Sequence, residues 1–222
     1  MDLHHKLAES VTAFYQQHGS AFARTRGMIW HEERLLAERI KPGMKVVDIG
    51  AGNGRFARLL IEGSSYVGIE PSPALRAAAH PSLEMQAGHL PHLPLADHVA
   101  DVTACFAVLH HIPGFEGRRQ AIEELIRITK PGGLIAATAW YHGDREALEP
   151  IAEGELGDVW VPWKAEGAEG KRFVHFMQPG EWERLWDHPA LAIERIGLFG
   201  TEDWTEDPAQ ARNWFVMAQT KH

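Results

Sequence analysis

The 222-residue chain predicts an α/β fold: a mostly parallel sheet closed by an antiparallel strand pair. Three observations carry this reading. Strand-like apolar runs alternate with segments of helical periodicity up to residue 140. The first run, Val46-Val47-Asp48-Ile49, enters the glycine turn Gly50-Ala51-Gly52-Asn53-Gly54 at a strand's carboxyl end, where open α/β sheets bind ligands. Two further strand-like runs, Leu191 to Phe199 and Asn213 to Gln219, flank the acidic linker Glu202 to Asp207.

Residues 1–40 predict a helical lid. Leu3, Leu7, Val11 and Phe14-Tyr15 recur at helical spacing, and His18-Gly19-Ser20 breaks the pattern. A second helix is expected over 27–40, stopped by Lys41-Pro42-Gly43. Strand 44–49 follows, then a helix with Phe56, Leu59 and Leu60 on one face, ending at Glu62-Gly63. The strand at 66–69 ends in Glu70, and Pro71-Ser72-Pro73 starts a helix running to Ala79. Further strands are expected over 83–87, 99–106 and 134–140. A helix over 117–129 buries Ala121, Ile122, Leu125 and Ile126, and Lys130-Pro131-Gly132-Gly133 forms a turn. Residues 142–175 have little periodicity but many aromatics and charges. A loop that long predicts a functional insert, 142–175. A short helix is expected near 179–187. No repeat interrupts the chain, and 1–222 reads as one domain.

Composition bounds the function. The formal net charge of −8 argues against non-specific nucleic-acid binding, which rests on neutralising phosphates. The 14 histidines are scattered rather than set at metal-ligand spacing, so no metal is expected. The single cysteine, Cys105, excludes an internal disulfide. No run approaches the ~18 apolar residues that span a membrane, and the N-terminus lacks a secretory signal's apolar centre. The expected location is the cytoplasm, with no membrane partner.

The glycine spacing narrows the ligand. A dinucleotide fingerprint needs a glycine at 55, where Arg55 stands; the third glycine is already Gly54. Asp48, just before the first glycine, would repel a pyrophosphate and attract a cation. Glu70 lies at the end of the neighbouring strand, within reach of ribose hydroxyls, for which an ionised carboxylate is an acceptor.

Four segments in order, Asp48-Ile49-Gly50-Ala51-Gly52-Asn53-Gly54, Gly68-Ile69-Glu70, Val108-Leu109-His110-His111 and Lys130-Pro131-Gly132-Gly133, resemble the class I S-adenosylmethionine-dependent methyltransferases. The resemblance implies a Rossmann-like seven-stranded sheet with a C-terminal antiparallel hairpin and helices on both faces. It also implies S-adenosyl-L-methionine as cofactor and S-adenosyl-L-homocysteine as product. A narrower resemblance, to tRNA wobble-uridine carboxymethyl methyltransferases, rests on Phe22-Ala23-Arg24-Thr25-Arg26 with Trp30, Asp158 to Trp163, Arg172 to Phe176, Gly180-Glu181-Trp182 and Asn213 to Val216. That family esterifies a carboxymethyl group, and its eukaryotic members use a small activating partner protein. The superfamily usually places an acid after the third strand; here the position is His89, so the backbone at His89-Leu90 takes over the adenine contact.

The resemblance implies that Asp48, Gly50, Ala51, Gly52 and Asn53 hold the methionine part of the cofactor, with Arg26 and Trp30 beside them. Glu70 and Pro71 hold the ribose side. Gly88, His89, Leu90, Phe106, Ala107, Val108 and His111 pack the adenine and sulfonium. A carboxylate acceptor is already ionised and needs no base, so cations should orient it: Arg26, Arg172 and His175. A hydroxyl or amine acceptor makes His110 or His111 the base. Trp140, Trp160 and Trp163 are candidates to stack on a planar substrate. The competing readings are a tRNA or a small carboxylate as acceptor, a small-molecule O- or N-methyltransferase, and a non-catalytic cofactor-binding protein of the same fold. A basic face formed by Arg24, Arg26, Lys164, Lys171 and Arg172 would favour tRNA. An apolar pocket would favour a small molecule.

Overall fold

The computed structural model describes residues 2–142, 148–165 and 167–222. In chain order its elements are α1 (Leu3–Arg24), α2 (His31–Ala37), β1 (Lys45–Ile49), β2 (Ser65–Ile69), α3 (Pro73–Ala77), β3 (Glu84–Gln86), β4 (Ala100–Phe106), α4 (Phe115–Ile128), β5 (Thr129–Trp140), β6 (Glu149–Pro150), β7 (Asp158–Ala165), β8 (Ala168–His175), α5 (Glu181–Trp186), β9 (Leu191–Phe199) and β10 (Asn213–Thr220).

The main sheet has seven strands in the order β3-β2-β1-β4-β5-β10-β9. The first five are parallel, and β10 runs antiparallel to both β5 and β9. Strand order reverses between β1 and β4, so the loops after these strands splay apart and leave a crevice. Side chains alternate across the sheet. Val47 and Ile49 face a core completed by α4 and α5, while Val46 faces one with Leu36 of α2 and Phe56. Cys105 is buried in the first of these cores.

Four expectations are corrected. The helix expected to break at His18-Gly19-Ser20 continues to Arg24. Gly19 is there for close packing: a Cβ would fall 2.9 Å from Ser72 Oγ and 3.0 Å from the Ala74 Cβ. The helix expected after the glycine turn is a 3₁₀ turn over Arg55–Leu59, entered from Gly54 at φ 72°. Lys130-Pro131-Gly132-Gly133 lies within β5 as an irregularity: Ala100 pairs with Thr129, and the register then jumps to Val102 with Leu134. The 142–175 stretch, expected to be irregular, holds a second sheet, β6-β7-β8; residues 143–147 and 166 of it lie outside the described residues. The β7–β8 hairpin leans on α1. Trp163 packs edge-on to Phe14 at 5.5 Å, and Gly170 lets the backbone approach His18.

Candidate active site

The glycine turn is built by steric exclusion. Gly50 (φ 69°) and Gly52 (φ 59°) take the left-handed conformation that side chains disfavour. A Cβ on Gly50 would sit 2.3 Å from Val108 Cγ2, so a glycine here lets the loop after β4 pack directly on the turn. Gly50 and Ala51 both donate to the Ile69 carbonyl, binding the turn to the end of β2.

Two buried carboxylates flank it. Asp48 accepts a 2.8 Å hydrogen bond from the Tyr66 hydroxyl. Burial outweighs that bond and, with Glu33 nearby, raises the Asp48 pKa to about 7. Glu70 accepts from the Gly52 N–H at 3.0 Å and the Ser72 N–H at 2.8 Å, and burial raises its pKa as well. A cationic ligand would favour the ionised form of both.

Above them lies a cavity of about 930 Å³. Asp48, Gly50, Ala51, Gly52 and Asn53 line its base, and Glu70 with Pro71 lines one side. Gly88, His89, Leu90, Phe106, Ala107, Val108, His111, Arg26 and Trp30 line it as well. Asn53 Nδ2 donates to the Ala23 and Arg26 carbonyls at 3.3 Å each, which ties the N-terminal segment to the turn. Arg55 lies over the Trp30 ring at 3.9 Å and pairs with Glu33 at 2.9 Å.

The two histidines separate. His111 faces the cavity. His110 is fully buried: its Nδ1 accepts from the Trp140 N–H at 3.2 Å, and its ring stacks on Trp140 at 4.7 Å. His111 Nε2 lies 3.1 Å from the Tyr15 hydroxyl. Burial, with Arg172 and Arg26 adding repulsion, lowers the His111 pKa to about 3.

Arg172 does not line the cavity. It stands behind the wall, 5.0 Å from the Trp140 ring centroid, 5.5 Å from Phe22 and 5.3 Å from Phe14. It is 3% exposed, and its Nε and Nη1 have no hydrogen-bond partner among the described residues. Arg26 lies over Phe22, another cavity-lining aromatic, at 4.1 Å.

His175 is placed elsewhere. Its Nδ1 meets Asp158 at 2.7 Å and its Nε2 meets Glu181 at 3.0 Å; Arg118 bonds Glu181 at 2.9 Å and Glu155 at 2.7 Å. Burial opposes the imidazolium, but the two carboxylates outweigh it and raise the His175 pKa. The node joins α4, β7, β8 and α5. Glu155, Asp158 and His175 offer ligand atoms within 4.8 Å of one another, yet those atoms already hold hydrogen bonds and Arg118 lies against them.

The indole candidates also divide. Trp140 lines the cavity, Trp163 packs under α1, and Trp160 lies beneath Lys171 at 5.1 Å. Sequence reasoning missed Tyr66 and Tyr15. Tyr66 had a readable signal: in a parallel pairing it stands beside Val46, two residues before Asp48, so the two side chains share a face. Tyr15 read only as part of an apolar stripe.

Residues 47–137 match the model of a methyltransferase domain. The tRNA (carboxymethyluridine(34)-5-O)-methyltransferase of Arabidopsis thaliana is 27% identical over 176 residues, 79% of this chain and 41% of that protein. The chain spans about two fifths or less of the length of such curated relatives. A solved S-adenosylmethionine-dependent methyltransferase from Methanosarcina mazei superposes with a TM-score of 0.67 at 20% identity, covering 84% of this chain and 97% of that one. A methyltransferase solved in complex with the Trm112 activator from Haloferax volcanii gives 0.64 at 17% identity, covering 96% and 98%.

Proposed function

We propose that this chain, a class I S-adenosylmethionine-dependent methyltransferase by its matched domain and its fold, transfers the methyl group to a carboxylate and makes a methyl ester. The observation that carries the acceptor is Arg172, a buried guanidinium with unpartnered nitrogens directly behind two cavity-lining aromatics. Burying such a charge costs several kcal/mol unless something offsets it. An anion at the cavity wall, held by Arg26 in front and attracted by Arg172 behind, offsets it.

The residues fit the cofactor. Asp48 and the glycine turn take its cationic methionine end, with Arg26, Trp30 and Asn53 closing over them. Glu70 accepts from the ribose hydroxyls. The apolar slot from Pro71 through Gly88, His89 and Leu90 receives the adenine, and Phe106, Ala107, Val108 and His111 flank the sulfonium. When bound, S-adenosylmethionine supplies a methyl group made electrophilic by the sulfonium.

The chain then has to orient the acceptor and exclude water. One carboxylate oxygen forms the new C–O bond as the C–S bond breaks, and the bonding pair stays on sulfur. No proton moves. That suits a site whose cavity-facing histidine is held neutral and hard to protonate. Residues 1–40 act as the lid, and the 142–175 insert contributes Arg172 from β8. The carboxymethyluridine named for the Arabidopsis relative is also a carboxylate, and the likeness to the Haloferax complex supports a small activating partner.

The test is an acceptor panel of carboxylic acids, alcohols, amines and tRNA, followed by Arg172 variants on whichever acceptor is methylated. Arg172→Met raises the acceptor KM by about tenfold or more, and Arg172→Lys restores part of it. Cofactor affinity stays within about twofold of wild type, since the residue lies off the cofactor subsite. An unchanged acceptor KM in Arg172→Met overturns the reading.

A further inference from the structure

We infer that the acceptor is a small carboxylic acid with an apolar body, admitted beneath the first half of α1. This rests on the carboxylate reading above and adds the body that carries the carboxylate.

Past Tyr15 and His111 the cavity continues as a lobe. Ala8, Val11 and Thr12 of α1 line it, as do Ile112, Pro113 and Gly117. None of these six carries a charge. His4 also lines the cavity, and its ring lies so close to Gly114 that a Cβ there would be 2.7 Å from it. An apolar group on the acceptor would lie along these residues with its carboxylate toward Arg26.

The charges at the rim disfavour a polyanion. Asp2, the N-cap of α1, and Glu9 line the cavity, and His5 is already beside Glu9 at 3.3 Å. Of the five cations expected to form a basic face, Arg172 is buried and Arg26 lines the cavity, while Lys164 and Lys171 each lie near a carboxylate, Glu169 at 3.5 Å and Glu149 at 3.2 Å. Nucleic-acid affinity rests on cations that neutralise phosphates, which a net charge of −8 opposes.

The experiment uses the full chain saturated with S-adenosylhomocysteine, and measures the thermal shift produced by octanoate, phenylacetate, tartrate, octanol and bulk tRNA. In parallel, methyl-labelled S-adenosylmethionine reports which of them takes label. Octanoate or phenylacetate is expected to raise the melting temperature and to take alkali-labile label, and tartrate and tRNA are expected to do neither. Val11→Asp, which puts a charge in the lobe, should weaken binding of the apolar acid by about tenfold while leaving S-adenosylhomocysteine affinity unchanged. Label in tRNA but not in the acids overturns this inference and keeps the carboxylate reading. A preference for tartrate, no binding of either apolar acid, or indifference to Val11→Asp also overturns it. Alkali-stable label in octanol overturns both.

Discussion

The carbonyl oxygen of Phe173 lies 2.8 Å from His111 Nδ1. A carbonyl only accepts, so Nδ1 carries the proton and Nε2 accepts from the Tyr15 hydroxyl. Strand β8, which contributes Arg172, therefore also fixes the tautomer of the histidine facing the cavity. Burial, Arg172 and Arg26 keep that ring neutral, with a pKa of about 3. At saturating cofactor, kcat is expected to show no histidine limb between about pH 6 and 9, where a general base would give one. A rate falling tenfold per pH unit below neutrality would contradict this. The stability consequence has a definite sign. The folded pKa lies below the ordinary histidine value, so His111 stabilises the fold above about pH 6.5, and this is lost as the pH falls toward the folded value.

Asp48 behaves oppositely. Its folded pKa of about 7 exceeds the ordinary aspartate value, so in the free protein it favours the fold at low pH, and that contribution is lost as pH rises through 7. A cationic ligand reverses the preference and expels the proton. Calorimetry at pH 7 in buffers of different ionisation enthalpy should detect release of about half a proton per cofactor bound. Tyr66→Phe removes the bond that opposes the shift, so cofactor affinity near neutrality should drop by about tenfold or less, with recovery at higher pH.

Gly50→Ala tests the turn. The new Cβ would meet Val108 Cγ2 at 2.3 Å, and φ of 69° is itself unfavourable to alanine. The expected cost is about 1–3 kcal/mol of stability, with cofactor binding lost. Adding Val108→Ala should relieve the clash and leave the backbone part, on the order of 1 kcal/mol. Full recovery in the double variant would show that the left-handed turn does not matter.

The Arg118–Glu181–His175–Asp158 node should matter to folding rather than to chemistry. Arg118 is fully buried, so Glu181→Ala, which leaves it only Glu155 and takes a carboxylate from His175 as well, is expected to cost about 3 kcal/mol in denaturant unfolding. His175 has a raised pKa, so its contribution is full below about pH 6.5 and is lost as pH rises through the folded value. A His175→Gln variant that keeps its stability but loses kcat would overturn this assignment.

Legibility in the sequence followed the range of the signal. Strand β9 was read at its observed bounds, and β1, β2, β4 and β10 to within a residue, because each is a local apolar run. The glycine turn was legible for the same reason. What failed depended on distant partners. Gly19 read as a breaker because nothing local reveals that α3 presses on it. The node around His175 draws its members from 118 to 181, so His175 looked like a free cation. Arg172 read as a cation of the site, but its place behind the wall was hidden because the aromatics that enclose it come from residues 14, 22 and 140. The β7–β8 hairpin was hidden by charges that pair across the strands.

The most direct measurement of the central claim is the fate of the transferred methyl group in alkali. Product made from methyl-labelled S-adenosylmethionine and any accepted substrate is treated with mild base, and the volatile fraction is counted. A methyl ester hydrolyses and releases its label as methanol, which is the result predicted. Label that stays on the product through base treatment would place the methyl on an oxygen or nitrogen of another kind and contradict the carboxylate site.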